Sequence, residues 1–289
     1  MSRSSIERLF SALETGGEKP AIVFEGRTWS FEGLNSLSAA YARGLSAEGI
    51  ERGDRVAVFV EGCPETIVAL LGHYRLGAIH VPINTRYRGE EVSHILSDSG
   101  AKAVLVRAGS PCASVLEGIA APPALALRIG IGGATASSVR EGVAFERLVE
   151  TAPARRQGDA LPADEEAAIL LYTSGTTGKS KGVELSFRAV VANMEAVTRL
   201  WRFSPEDRMA LALPLFHVHG LGLGVHGALL HGMTLLLFER FEAARIVEAF
   251  ARQGATLFQG VPTMYVKLLE LLERSPQAPS ALARGRLFT

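Results

Sequence analysis

The residues best suited to chemistry lie together at Thr173-Ser174-Gly175-Thr176-Thr177-Gly178-Lys179-Ser180-Lys181-Gly182, directly after the apolar run Ala168 to Tyr172. Glycine lets backbone N–H groups turn toward an anion, hydroxyls donate without bulk, and lysine supplies positive charge. That combination points to the cradling of a phosphate chain. Ordinary solvated loops do not concentrate donors so densely behind a buried strand. The tail Gly178-Lys179-Ser180 suits a Walker A loop, but that motif needs a glycine five residues before Gly178. Position 173 is Thr, so a P-loop NTPase is a weak reading.

A second cluster, Leu213 to Gly232, holds His217, His219, His226 and His231. It contains no cysteine or carboxylate to complete a metal site, so zinc is not expected there. His226 and His231 read as plain helix residues. Only Cys63 and Cys112 occur in the chain. They cannot build a disulfide framework and read as small packing residues.

Elements must hold these residues in place. Short apolar runs alternate with helix-period stretches, the pattern of an α/β protein built from layered subdomains with mostly parallel sheets. Strands are expected at Ala21 to Phe24, Arg55 to Val60, Ile79 to Pro82, Lys102 to Val106, Leu125 to Gly133, Ala168 to Tyr172, Met209 to Leu213, Met233 to Phe238 and Thr256 to Gln259. Helices are expected from Ser30, a suitable N-cap, to Glu48, and from Pro64 to Leu76. Further helices are expected over Glu90 to Ser97, Phe187 to Trp201, Ala243 to Gln253 and Pro262 to Glu273. The polar segment Thr151 to Glu166, with Pro153 and Pro162, divides a first subdomain at 1–160 from a second at 161–289. The apolar pair Leu287-Phe288 reads as the start of a buried strand, and so as a sign that the chain is part of a longer protein.

Thirty Lys plus Arg against thirty Asp plus Glu give no basic field for nucleic acid or anionic lipid. The N-terminus MSRSSIERLF lacks the apolar core of a secretory signal, which gives a cytoplasmic expectation. The uncharged run Gly220 to Phe238 approaches a membrane span in length, but its glycines and histidines argue against one.

The string Tyr172 to Gly182, YTSGTTGKSKG, resembles the signature loop of the adenylate-forming superfamily, which includes acyl-CoA synthetases and peptide-synthetase adenylation domains. The resemblance extends to Arg75 to Tyr87, Leu213 to Gly220 and Gly260 to Tyr265, and within the acyl-CoA synthetases it is nearest to malonyl-CoA synthetases. Ser180 departs from the usual proline, which alters loop stiffness more than donor chemistry. The resemblance implies the fold of the large N-terminal domain of such enzymes and the substrates ATP, Mg2+, coenzyme A and a carboxylic acid. Carried over by position, Thr173, Ser174, Gly175, Thr176, Thr177, Gly178 and Lys181 hold the phosphates. Thr173 is also a candidate magnesium ligand. Lys181, Thr177 and His217 form the catalytic set, and His217, His219 and Gly220 meet the acyl group.

No Asp or Glu occurs in that pocket segment before Glu239, which disfavours an amino-acid substrate because a buried ammonium group needs a countercharge. A second carboxylate could be met by His219, Arg240 or Arg284. Three readings remain open at this point. One is an acyl-CoA ligase whose second half lies beyond Thr289 and whose first 289 residues alone turn over poorly. Another is an acyl-AMP ligase serving a carrier protein. The third is a non-catalytic nucleotide-binding remnant.

Overall fold

Proline at the first helical turn leaves no useful N–H unsatisfied, and the Pro64–Leu76 helix begins at that proline. Ser30 caps the Phe31–Ala47 helix as expected, its hydroxyl accepting from the Gly33 N–H at 3.0 Å. Elsewhere the alternation seen in the sequence is the alternation of the fold. The computed structural model describes residues 3–133, 142–152, 160–173, 179–275 and 278–289.

Strands β1 (Pro20–Phe24) and β2 (Arg27–Ser30) form an N-terminal hairpin closed by Glu25 and Gly26, both at positive φ. Next come β3 (Arg55–Phe59), β4 (Ile79–Pro82), β5 (Ala103–Arg107), β6 (Leu127–Ile131) and β7 (Val143–Ala144). They are followed by β8 (Ala167–Thr173) and β9 (Lys181–Ser186). The last are β10 (Arg208–Leu211), β11 (Thr234–Leu237), β12 (Leu257–Phe258) and β13 (Leu287–Phe288).

The chain is an α/β protein organised as two units. Met1–Ile6, Asn35–Glu61 and Glu65–Val190 make the first, and Glu7–Leu34, Gly62–Pro64 and Val191–Thr289 make the second. The division expected near residue 160 falls inside the first unit, because β8 and β9 extend the sheet begun by β3 to β7. That sheet runs β7-β6-β5-β3-β4-β8-β9, parallel except for the antiparallel pair β8–β9. Its centre is apolar on both faces, as parallel strands under helices require. Val56, Ala57, Val104 and Leu105 are fully buried.

Beneath the first unit's sheet lies a buried polar pair. His73 Nδ1 is 3.0 Å from His80 Nδ1, so one ring donates and the other accepts. Burial pushes His73 down to about 3.

The second unit's sheet runs β13-β12-β10-β11-β1-β2. Ile22 on β1 pairs with Leu235 on β11, so the hairpin at the start of the chain completes a sheet made near its end. Asp207, almost fully buried at the entry to β10, accepts from the Ser204 N–H, the Thr256 hydroxyl and the Arg286 guanidinium. Burial alone would raise its carboxyl, but those donors outweigh it and hold the group below the usual range. Leu287-Phe288 is a strand, yet not a buried one. It pairs with β12 at the sheet edge, which leaves Phe288 38% exposed. The run 220–238 breaks into a π-helix (His219–His226), a short helix (Gly227–His231) and β11. Among the described residues no helix is long and apolar enough to cross a membrane.

Candidate functional site

Ligands of open parallel sheets gather where loops leave the carboxyl ends of neighbouring strands. In the first unit, β4 and β8 are parallel neighbours, with His80 opposite Ile169. Their following loops therefore leave the same edge. The loop after β8 begins at Thr173 and returns as β9 at Lys181, and the two residues face each other across the ladder. Both side chains are exposed at the mouth of the hairpin. Thr173 and Lys181 are thus brought together as the sequence suggested. Ser174, Gly175, Thr176, Thr177 and Gly178, also expected to hold phosphate, lie outside the described residues.

Both stems of the hairpin are tied to one helix. Tyr172, on the outgoing stem, donates its hydroxyl to Asp98 Oδ2 at 2.7 Å. On the returning stem, the Ser180 carbonyl lies 2.9 Å from His94 Nε2. A carbonyl only accepts, so His94 carries its proton on Nε2. The His94 and Tyr172 rings meet edge to face at 6.3 Å. Burial, then the Asp98 hydrogen bond, push the Tyr172 phenol above its usual range, which keeps it a donor.

Directly across the ladder from Tyr172 stands Gly182. A Cβ there would lie 2.9 Å from Leu170 Cδ1 and 3.1 Å from Tyr172 Cζ, so the motif's last glycine makes room for the tyrosine ring. An open cavity of about 600 Å³ flanks the returning stem, lined by Tyr87, Glu90, Glu91, His94, Lys179 and Ser180 among others.

The histidine-bearing segment belongs to the second unit and follows β10. His217 is exposed, its ring 4.7 Å from that of Phe216. Its carbonyl accepts from the Leu221 N–H at 2.9 Å. His219 is half-buried at the first position of the π-helix, and burial lowers its pKa.

Gly220 is buried, and a Cβ there would come 2.4 Å from the Pro214 carbonyl oxygen, so only glycine fits. Gly224 likewise lets the helix approach Leu211. His226 is fully buried with Nδ1 2.8 Å from the Leu221 carbonyl, and His231 Nε2 lies 2.7 Å from the Thr198 hydroxyl. Arg240 pairs with Glu242, and Arg284 donates to the Ala251 carbonyl. Cys63 and Cys112 are buried.

Sequence reasoning missed His94 and Asp98, which sit in no recognisable motif. The only trace is their spacing of four on an amphipathic helix, which puts both on one face. Gln259, which follows β12, is nearly fully buried, and neither amide atom has a hydrogen-bond partner among the described residues.

Mostly parallel sheets flanked by helices, with a hairpin that brings Thr173 opposite Lys181 at a carboxyl edge, make this an α/β protein of the class that binds ligands at strand ends. The family of AMP-binding enzymes matches residues 9–287, and the chain belongs to that family. Over 234 residues it is 33% identical to the long-chain-fatty-acid–CoA ligase FadD13 of Mycobacterium tuberculosis, covering 80% of this chain and 44% of that protein. Over 287 residues it is 32% identical to the indoleacetate–CoA ligase of Aromatoleum aromaticum, covering 96% of this chain and 52% of that one. Among solved structures, ATP-bound MatB from Rhodopseudomonas palustris superposes with a TM-score of 0.81 at 29% identity, covering all of this chain and 54% of MatB. The chain spans about half the length of the curated relatives it matches.

Proposed function

We propose that the whole protein carrying this chain activates a carboxylic acid with ATP and transfers the acyl group to coenzyme A. A carboxylate oxygen attacks the α-phosphorus, the bond to the β-phosphate oxygen breaks, and pyrophosphate leaves. The thiolate of coenzyme A then attacks the acyl carbon and AMP departs. The observation that carries this reading is the Thr173/Lys181 hairpin mouth at the carboxyl edge of a parallel sheet, in a family whose relatives at about one-third identity are acid–CoA ligases.

Catalysis of such a step is mainly positioning and charge neutralisation. Lys181 would offset the departing pyrophosphate. Thr173, Ser174, Gly175, Thr176, Thr177 and Gly178 would donate hydroxyl and backbone N–H groups to the β- and γ-phosphates. Magnesium accepts one protein oxygen beside phosphate oxygens and waters, a demand the exposed Thr173 hydroxyl fits, and when bound it would offset phosphate charge. His217 would stand beside the acyl group, with His219 and Gly220 in the same wall.

A small, malonate-like acid is our substrate reading. Its supports are the resemblance of the Leu213 to Leu221 run to malonyl-CoA synthetases and the absence of Asp or Glu from Leu213 to Phe238. Arg240 donates one N–H to Glu242 and Arg284 one to the Ala251 carbonyl, so both keep donors and stand beside His219 as candidates for a second carboxylate. A cytoplasmic location suits the supply of ATP and coenzyme A. The test is ATP–pyrophosphate exchange by the whole protein with malonate, methylmalonate, acetate, octanoate and benzoate. The reading expects malonate or methylmalonate to stimulate exchange most, and preference for octanoate or benzoate would overturn the substrate class.

A further inference from the structure

Loops that bind phosphate chains through backbone N–H groups work only if the backbone is already in place when the ligand arrives, because ordering it afterwards costs binding energy. A hairpin has two stems, and fixing one leaves the other free to shear. In this chain each stem is held by a separate side chain of a single helix, Gly89–Ser99. Asp98 takes the Tyr172 hydroxyl at 2.7 Å, and His94 meets the Ser180 carbonyl at 2.9 Å. His94 and Asp98 are four residues apart and so lie one above the other on one helix face. The Tyr172 ring, seated over Gly182 and edge-on to His94, closes the arrangement.

The helix itself is firmly set. Val92, Ile95, Leu96 and Ser99 are buried, and Glu91 caps the first turn by accepting from the Arg88 N–H at 2.9 Å. Gly100 ends the helix in the left-handed conformation at φ 59°. Anchors projecting from a packed helix hold their partners more tightly than anchors on a loop.

We propose that His94 and Asp98 are positioning residues that fix the two stems of the phosphate hairpin and so set the affinity of the protein for ATP. Neither touches the reacting atoms. The inference rests on the ligase reading above, since it assigns the hairpin to the triphosphate. The anchor at position 180 is the backbone carbonyl, so serine supplies it as well as proline would.

The test compares the whole wild-type protein with His94→Ala, His94→Gln, Asp98→Ala, Tyr172→Phe and the Asp98→Ala/Tyr172→Phe double variant. Exchange kinetics give KM for ATP and for the carboxylate separately, calorimetry gives ATP affinity, and thermal unfolding gives stability. Loss of one net hydrogen bond corresponds to about a 5- to 10-fold effect. His94→Ala should raise KM for ATP by that factor and leave KM for the carboxylate within about twofold. His94→Gln, which can still donate to the carbonyl, should recover most of the loss. The double variant should be no worse than its weaker single, because both changes remove the same bond.

Equal changes in both KM values, or failure of Gln to restore ATP binding, would reduce the pair to ordinary fold support and overturn the proposal. A wild-type protein that binds ATP yet shows no carboxylate-dependent exchange sinks the ligase reading alone, and the clamp is then decided by calorimetric ATP affinity across the same variants. A protein that binds no ATP overturns both.

Discussion

Replacing Gly182 by alanine is a small change with a calculable consequence. An ideal Cβ would stand 2.9 Å from Leu170 Cδ1, 3.1 Å from Tyr172 Cζ and 3.3 Å from the Tyr172 hydroxyl oxygen. The Leu170 methyl can swing aside. The tyrosine cannot move without stretching its 2.7 Å bond to Asp98. Overpacking of this kind costs about 1–3 kcal/mol, and stretching the hydrogen bond to the Asp98 carboxylate, worth about 1.5–3 kcal/mol if lost outright, adds about 1 kcal/mol. Against that, alanine in a strand regains roughly 0.5–1 kcal/mol of backbone entropy.

The net expectation is a destabilisation of about 1–3 kcal/mol, read from the urea midpoint at constant slope. The clash is with the ring, so Tyr172→Ala in the Gly182→Ala background should cost less than Tyr172→Ala alone, with a coupling of about 1 kcal/mol or more. A Gly182→Ala protein as stable as wild type, or strictly additive costs, would refute the argument that the glycine exists to seat the tyrosine.

Three further outcomes follow from the same geometry. The folded pKa of His73, about 3, lies below its unfolded value near 6.5, so the unfolded chain binds the extra proton. The stability that His73 contributes is then fully present above about pH 6.5 and falls by about 1.4 kcal/mol per unit down to about pH 3, a loss near 2 kcal/mol between pH 6.5 and 5. His226, lowered by burial to about 4, adds to that loss in the same direction. A urea midpoint that does not change over that interval would contradict the buried pair. Asp207→Ala removes the acceptor of the Ser204 N–H, the Thr256 hydroxyl and two N–H groups of the half-exposed Arg286, which keeps its bond to the Trp201 carbonyl. It should cost about 2–4 kcal/mol, well above the cost of Arg286→Ala measured in the same unfolding assay. Lys181→Ala, at an exposed strand end, should leave the thermal midpoint unchanged while lowering kcat/KM for exchange about 10²- to 10³-fold. An active Lys181→Ala protein would remove that lysine from the phosphate site.

Sequence periodicity located elements whose signals are local. Pro64 marked its helix start, the apolar run Ile79 to Pro82 is β4 residue for residue, and the hydroxyl-rich string is flanked by the strands Ala167–Thr173 and Lys181–Ser186. Pairing was less legible because it is not local. Nothing in PAIVF says that it will lie beside Leu235 and Leu236, more than two hundred residues on. The same long-range return makes each unit discontinuous in sequence, which no local composition signal reveals.

The strand Lys181–Ser186 was also hidden, since its largely exposed face carries no buried alternation. At the site, the conspicuous donors of Thr173 and Lys181 were readable from composition alone. His94 and Asp98 were not, because an ordinary amphipathic helix gives no sign of which loop its outer face will meet.

The central claim is that the acid is activated by transfer of AMP. Carboxylate labelled with oxygen-18 on both oxygens, turned over by the whole protein with ATP and coenzyme A, tests it in one measurement. Attack on the α-phosphorus followed by thiolysis must leave one labelled oxygen in AMP and none in pyrophosphate. Label in inorganic phosphate with ADP as the other product would mean attack at the γ-phosphorus, and the account would be wrong.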